Sequence, residues 1–255
     1  MTWQDVLAVA KRQSAIDSSC LPEDFDRTDN VIVHSRPDDR ARRYLTLPFS
    51  CDLVSYGSNV VASVDPALEE DVRAYLDKYT FYHCFETPNM HALDRLLLPH
   101  GLQTCFMADY FLPVPEKLAA PDIPYEVRIL TPDDFASLYL PEWSNALCRE
   151  RAHLDVLGVG AYEDGRLIGF AGCSADCDTM WQIGIDVLPE RRGQHIAPAL
   201  VGRLALETLR RGKVPFYCAA WSNIRSVRTA IASGFRPAWV ELTAKPIDFV
   251  QSLNG

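Results

Sequence analysis

The chain of 255 residues is 48% hydrophobic and 23% charged, so it should bury a substantial core. It has no run of roughly 18 uncharged apolar residues, the length that a membrane-spanning helix needs. Its amphipathic N-terminus also lacks the apolar run of a secretory signal. We therefore expect a cytoplasmic protein without a membrane partner.

The charge is unevenly distributed. The whole chain carries −9, but the segment 191–236 holds nine basic residues and one acid, Glu207. A basic segment in an acidic protein favours a compact anionic ligand. Nucleic-acid-binding proteins usually present a wider basic face, so we expect no nucleic acid partner. A solvated, arginine-rich helix face explains the pattern equally well.

The eight cysteines are scattered through apolar contexts, which favours reduced and buried thiols over a disulfide framework. Cys173 and Cys177 are four residues apart, but no second pair has the spacing of a zinc site. We expect no metal.

The N-terminal part, 1–112, contains a strand, turn and helix pattern twice. The segment 59–76 predicts a strand, a loop and a helix, and 81–103 predicts an aromatic-rich strand, a helix and an extended end. Both segments resemble parts of the C-terminal half, so we interpret 1–112 as a degenerate repeat without its own ligand. Acids within 65–70 would repel phosphate. Two unrelated units with similar turn residues are the alternative.

Four prolines in 113–124 predict an extended linker between domains 1–112 and 125–255. Beyond it, a hairpin is expected to turn at Asp164-Gly165. We predict strands at 125–130, 156–164, 166–175, 179–188, 214–220 and 236–244, and helices over 132–147, 194–211 and 223–233. Antiparallel hairpins followed by a β-α-β unit indicate an α+β (α/β) domain.

The stretch from Arg192 to Ala197 lies between a predicted strand and a predicted long helix. Backbone N–H groups at a helix start have no intrahelical partner and attract anions. Pro198 is tolerated in the first helical turn. The chain has no G-x-x-x-x-G-K-[ST] motif, and Gly158-Val159-Gly160 continues as a strand, so neither a P-loop nor a dinucleotide fold is indicated.

The sequence VLPERRGQHIA, residues 187–197, resembles the acetyl-CoA loop of the GNAT family of N-acetyltransferases. That family's pattern is Val-x-Pro followed by Arg/Gln-x-x-Gly-x-Gly/Ala. A second family motif resembles Asn223, Ser226 and Gly234-Phe235. The resemblance covers about 125–244 and implies a mixed, mostly antiparallel sheet flanked by helices. The whole chain looks like a two-part GNAT subgroup.

The resemblance also implies a role for each matched residue. Backbone at Val187 and Leu188 would pair with the pantetheine arm of acetyl-CoA. Asn223 would contact the pantetheine side, with Ser226 nearby, and Arg225 or Arg228 would meet the 3′-phosphate. The pyrophosphate would be held by N–H groups of Arg192, Gly193, Gln194, His195, Ile196 and Ala197.

His195 occupies the family's glycine position. We expect the histidine to adopt a helical φ, which leaves its N–H available and turns its ring away from the ligand. A histidine that contacts phosphate and a damaged loop are the alternatives.

The usual catalytic pair of the family is absent. GNAT enzymes often place Glu or His on the fourth strand, where this chain has Trp181 and Ile183, and a tyrosine acid where it has Ala230. Asp186 falls on the opposite face of that strand. Glu142, after the first predicted helix of this half, remains the candidate base. Cys173 and His153 are weaker candidates.

The sequence thus predicts acetyl transfer from acetyl-CoA to a primary amine of a small acceptor. A catalytically silent acyl-CoA-binding module is the main alternative, and a relative that binds another phosphate ligand is a third. A homodimer is left open.

Overall fold

A computed structural model describes residues 1–254. The chain forms two compact units. The first unit combines residues 1–10 with 111–237, and the second combines 11–110 with the segment from Ala238 onward. The residues predicted to be a linker lie in the first unit. The division into domains 1–112 and 125–255 stays a prediction.

The described residues contain the following regular elements. The helices are α1 (Trp3–Ser18), α2 (Glu69–Lys78), α3 (Thr87–Leu97), α4 (Ile196–Arg210), α5 (Ile224–Ala232) and α6 (Ile247–Leu253). The strands are β1 (Val31–His34), β2 (Cys51–Ser55), β3 (Val61–Val64), β4 (Leu102–Pro113), β5 (Glu126–Leu130), β6 (Asp155–Glu163), β7 (Arg166–Ser174), β8 (Met180–Val187), β9 (Val214–Ala219) and β10 (Phe235–Pro246).

In the first unit, strands β5 to β9 lie in the order β9-β8-β7-β6-β5. The pairs β5–β6, β6–β7 and β7–β8 are antiparallel, and β8–β9 is parallel. The β6–β7 hairpin turns at Asp164 (φ 49°) and Gly165 (φ 81°), as predicted. The mixed, mostly antiparallel sheet that the sequence predicts is confirmed.

Helix α4 covers one face of this sheet. Ile196, Leu200 and Leu204 recur at helical spacing, are at most 1% exposed, and pack into the core with β7 and β8 residues. A Cβ at Gly169 of β7 would lie 2.8 Å from the Ile196 side chain. Glycine at position 169 therefore lets the first turn of α4 pack closely against β7. The predicted long helix is therefore present and lies close against the sheet.

The prediction of helix over residues 132–147 is wrong. This segment contains only short 3₁₀ turns, Pro132–Asp134 and Pro141–Trp143. Each begins at a proline, which is accepted at a helix start but disfavours helix in the residue before it. The stretch is therefore divided into separate turns.

In the second unit, strands β1, β3, β2, β10 and β4 lie in that order. Strands β1 and β3 are parallel, and β2 pairs antiparallel with both β3 and β10. Phe81–Phe85, predicted as a strand, is a 3₁₀ helix directly before α3. This segment therefore lacks the strand that a structural repeat of β9 and α5 would need.

A buried ionic cluster lies in the second unit. The Arg42 guanidinium, 3% exposed, donates to Asp17 at 2.5 Å, to Glu241 at 2.8 Å and to the Tyr44 hydroxyl at 2.6 Å. Asp52 accepts a hydrogen bond from Thr243. Burial raises the pKa of both Asp17 and Asp52. One cation thus links three segments that are far apart in sequence.

Candidate active site

The loop between β8 and α4 has two residues in the left-handed region. After the 3₁₀ turn Pro189–Arg191, Gly193 has φ +79° and His195 has φ +60° and ψ 13°. The expectation of a helical φ at His195 is wrong, because the residue before α4 keeps the backbone conformation that suits glycine. All four residues from Arg192 to His195 are exposed.

The backbone amides of this loop are available. Within the described chain, the N–H groups of residues 193–197 have no hydrogen-bond acceptor. Ile196 and Ala197 are the first residues of α4, where the helix itself provides none. Five free donors at a helix N-terminus form a place where an anion can bind.

Strand β8 has an open backbone edge next to this loop. It pairs with β9 only from Met180 to Ile183, although it continues to Val187. Leu188 donates its N–H to Ile168 of β7 and accepts from Arg191. Because backbone groups alternate along an antiparallel pair, those of Ile185 and Val187 are directed away from β7. The open edge is therefore offered by Ile185 and Val187, and not by Leu188.

Ile185 was missed by sequence reasoning, although its spacing of two from Val187 was a usable signal. Arg192 already uses part of this edge: its Nε donates to the Val187 carbonyl at 3.1 Å. A ligand that pairs with this carbonyl has to share or replace that contact.

The second predicted motif lies at the start of α5. Asn223 caps the helix, since its Oδ1 accepts from the Ser226 N–H. The Ser226 hydroxyl lies 2.7 Å from the Tyr217 hydroxyl of β9. Burial raises the pKa of Tyr217. Gly234 has φ +92°, and a Cβ there would lie 2.3 Å from the Lys117 carbonyl oxygen, so the glycine is required.

The basic segment divides into two groups. Arg203, Arg210 and Arg211 converge on Glu207 of α4, which explains part of the segment as a paired helix face. Arg192, Arg225 and Arg228 are exposed. The structure gives none of these three an acidic partner among the described residues, so their charge remains available for an anion.

The opposite face of the sheet carries the loop 141–147. Gly172 and Gly184 are cross-strand partners on β7 and β8. A Cβ at either would lie about 2 Å from a loop carbonyl oxygen, that of Ala146 or Asn145. Asp186 also fixes the loop, accepting from the Asn145 and Ala146 N–H groups at 2.9 and 3.0 Å. Asp186 therefore lies on the face opposite α4, as its spacing predicts, and is occupied in holding the loop.

The other positions considered for catalysis differ in how exposed they are. Glu142 lies in the 3₁₀ turn Pro141–Trp143 and is exposed. Ala230 and Cys173 are fully buried, and the Cys173 thiol lies 3.3 Å from the Thr208 hydroxyl. The Trp221 side chain, two residues before Asn223, is 59% exposed.

A buried carboxyl in the first unit was also missed. Asp155, 3% exposed, accepts from the Tyr139 hydroxyl at 3.1 Å and from the Cys148 N–H at 3.2 Å. Burial raises the pKa of Asp155 to about 6, and the two hydrogen bonds oppose that shift. A lone aspartate at the start of a strand gives no sequence signal of this environment.

The described residues contain neither a candidate metal site nor a candidate membrane-spanning helix. No group of three or more His, Cys, Asp or Glu side chains in 1–254 is placed to hold a metal ion. None of the described helices is long and apolar enough to cross a membrane. All eight cysteines are free thiols.

Comparison with known proteins identifies the region that contains the loop. Residues 124–235 match the family model described as the acetyltransferase (GNAT) family. No curated protein matches the sequence significantly.

Several solved structures match part of this chain at low sequence identity. A GNAT-family protein from Novosphingobium aromaticivorans is 19% identical, with a TM-score of 0.39 and coverage of 56% of this chain and 66% of that one. A GNAT acetyltransferase from Colwellia psychrerythraea is 15% identical, with a TM-score of 0.45 and coverage of 60% and 62%. An aminoglycoside N-acetyltransferase in complex with CoA is 22% identical, with a TM-score of 0.35 and coverage of 48% and 93%.

The chain spans less than two thirds of the length of the first two of these proteins. The family assignment rests on the family model and applies to the part of the chain that it matches. Residues 124–235 are a GNAT acetyltransferase domain.

Proposed function

We propose that the protein transfers an acetyl group from acetyl-CoA to a primary amine of a small acceptor. The observation that carries this proposal is the set of free N–H groups at 193–197, placed beside the open edge of β8. A pyrophosphate suits the first feature and an amide-bearing arm suits the second.

Different residues of this chain would bind different parts of acetyl-CoA. The amides of 193–197 would hold the pyrophosphate, and the backbone of Ile185 and Val187 would pair with the pantetheine arm. Arg225 and Arg228, both exposed near the start of α5, would meet the 3′-phosphate. Asn223 would contact the pantetheine side through the side-chain NH₂ that its capping role leaves available.

The acceptor would approach from the face that carries the loop 141–147. We assign Glu142 of that loop as the group that takes a proton from the amine, directly or through water. The acidity of the chain outside 191–236 favours a cationic amine. Orientation of the two substrates would then supply much of the rate.

A catalytically silent acyl-CoA-binding module is the second candidate. It is favoured by Ile183 and Ala230, apolar residues at positions where the family often has its base and acid. Under this alternative acetyl-CoA binds and no amine is acetylated.

The first test is calorimetric titration with acetyl-CoA, with dephospho-CoA and ATP as comparison ligands. We expect saturable binding of acetyl-CoA, weaker binding of dephospho-CoA, and none of ATP. Absence of acetyl-CoA binding would refute both candidates. If acetyl-CoA binds, a screen of amines for CoA release distinguishes enzyme from silent module.

Glu142→Gln tests the proposed base. We expect it to lower turnover by roughly a hundredfold, the usual contribution of a general base, with little change in acetyl-CoA affinity. Steady-state kinetics with the amine found in the screen measure this. Unchanged turnover would make Glu142 a surface acid. A cytoplasmic location and a homodimer stay predictions.

A further inference from the structure

The second unit contains a cleft of about 470 Å³, a volume typical of small-molecule sites. The residues that line it come from two short segments, 12–22 and 36–40. The acid-rich turn at 65–70, which the sequence predicts to repel phosphate, contributes none of them. The cleft is therefore a different place from the degenerate loop, and its chemistry has to be judged from its own residues.

One wall of the cleft is a face of α1 and the residue that follows the helix. Four lining residues recur at i, i+3, i+4 and i+7, the spacing of one helix face: Arg12, Ala15, Ile16 and Ser19. Ala15 is 4% exposed and Ile16 is half-buried. The middle of this wall is therefore apolar, with an arginine at one end and a hydroxyl at the other.

The other wall is held against α1 at both of its ends. The Arg36 N–H donates to the Ser19 Oγ at 3.0 Å, and that hydroxyl donates to the Arg36 carbonyl at 3.3 Å. The Gln13 side chain donates to the Arg40 carbonyl at 3.0 Å. The segment 36–40 thus runs past the helix in the opposite direction, and these hydrogen bonds keep the cleft formed.

The charges of the cleft do not cancel. Three of its lining residues are arginines and one is an acid, Asp38. Asp38 is occupied by Arg40, whose guanidinium donates to both carboxylate oxygens at 3.0 and 2.7 Å. Arg12 and Arg36 are exposed, and the structure gives neither guanidinium an acidic partner among the described residues. Two positive charges therefore remain available beside an apolar surface.

These features fit one class of ligand. A guanidinium group matches the oxygens of a carboxylate or a phosphate, and an apolar wall suits a hydrocarbon part. We propose that the cleft binds a small organic anion, with its carboxylate or phosphate held by Arg12 and Arg36 and its apolar body against α1. Binding there requires neither acetyl-CoA nor an amine, so it is independent of the proposed acetyl transfer.

The test is a ligand-observed NMR titration of the full-length protein in the absence of CoA. The probes are hexanoate, hexyl phosphate, inorganic phosphate and hexylamine. We expect saturable binding of hexanoate or hexyl phosphate, and the tighter of the two identifies the anionic group. Inorganic phosphate, which has no apolar body, should bind more weakly, and hexylamine should not bind. Added salt should weaken the binding of the anions.

Arg12→Met and Arg36→Met should each weaken binding of the tighter probe roughly tenfold, because each removes a charge-assisted hydrogen bond. Both residues are exposed, so we expect the variants to fold. Arg73→Met is the matched control. Arg73 is an exposed arginine of the same unit, but it pairs with Glu69 at 2.7 Å and does not line the cleft. Its loss should leave the affinity unchanged.

The inference is overturned if neither hexanoate nor hexyl phosphate binds, or if both cleft variants bind as tightly as the wild-type protein. An equal loss of affinity in Arg73→Met would overturn it too, since the effect would then come from net charge alone. Equal affinities for inorganic phosphate and hexyl phosphate, or for hexylamine and hexanoate, would also contradict a site for an organic anion.

Discussion

Each unit of this protein contains a strand that runs through a 3₁₀ turn into a helix. The two connections differ in whether their backbone N–H groups have hydrogen-bond acceptors. Between β8 and α4, five consecutive N–H groups are free. Between β3 and α2, Asp65 accepts from Ala67 at 2.8 Å, Pro66 has no N–H, and Leu68 donates back to the Asp65 carbonyl. The second turn therefore satisfies its own donors.

The surrounding charge follows the same division. Helix α2 begins with Glu69, Glu70 and Asp71, whereas the first-unit loop is preceded by Arg191 and Arg192. A shared strand, turn and helix pattern thus does not make an anion site. The deciding features are free amides and the sign of the nearby charge.

The two units also differ in how they use arginine. The exposed Arg192, Arg225 and Arg228 of the first unit remain available, while Arg42 of the second unit is buried among carboxylates. We interpret the second unit as one whose central charges serve stability. The predictions that follow test this difference.

Arg42→Met should have the largest effect. It removes the cation from Asp17 and Glu241, which are both buried, and we expect the free energy of unfolding to fall by about 3–5 kcal/mol. Chemical denaturation measures it. Arg40→Met is the matched control, because Arg40 is exposed and pairs with Asp38 at the surface, so its loss should leave stability unchanged. Equal effects of the two variants would contradict a structural role for the buried cluster.

Gly193→Glu should abolish acetyl-CoA binding, with an affinity loss of roughly a hundredfold or more. The new carboxylate would stand beside the free amides and repel a pyrophosphate. Gly165→Glu is the control: Gly165 has φ +81° and, like Gly193, open space where a Cβ would lie, but it lies in the β6–β7 hairpin. Titration calorimetry should show normal binding for this control. Similar affinity losses in both variants would remove the assignment of the loop.

Asp155→Asn should change how stability depends on pH in the first unit. The folded pKa of about 6 lies above 3.8, the usual pKa of an aspartate side chain, so the folded state keeps this proton to higher pH than the unfolded chain does. The associated stability is complete below about pH 4 and is lost as pH rises through about 6. Relative to wild type, we expect the variant to gain about 1–3 kcal/mol between pH 4 and 7.

Denaturation curves at several pH values measure this difference. Tyr139→Phe provides a second check, since it removes a hydrogen bond that lowers the pKa of Asp155. The loss of stability should then extend to higher pH. A pH-independent difference between wild type and Asp155→Asn would contradict the raised pKa.

His195→Gly should have the smallest effect. Glycine relieves the left-handed backbone at φ +60°, but it also loses more chain entropy on folding, so we expect a gain of at most about 1 kcal/mol. Thermal denaturation measures it. His195→Ala, which keeps the strain, should not gain. Acetyl-CoA affinity should be retained in both, because the N–H is unchanged.

The sequence predicts those elements whose signals are local. The β6–β7 hairpin follows from Asp164-Gly165, and α4 follows from apolar residues at helical spacing. The loop 192–197 could be placed because its residue pattern and its position between strand and helix agree.

Other features depend on packing and could not be predicted. The sequence around Leu188 does not show that the Leu188 N–H donates to the Ile168 carbonyl. It also does not show that Ile185, and not Leu188, presents its backbone groups at the open edge. The meeting of Tyr217 with Ser226 requires the distance between a strand and a helix. His195 was assigned the wrong φ because the constraint comes from the start of α4 and not from the histidine itself.

The glycine pair beneath the loop 141–147 constrains how this domain can change by mutation. A Cβ at Gly172 or Gly184 would lie about 2 Å from a loop carbonyl oxygen, so neither residue can gain even a methyl group unless that oxygen moves. Asp186 is similarly committed by its hydrogen bonds to that loop. In a deep mutational scan we expect these three positions to tolerate almost no substitution. Substitutions at exposed loop residues such as Glu142 should instead leave the stability of the domain unchanged. New acceptor preferences would then evolve through loop side chains over a sheet surface that does not change.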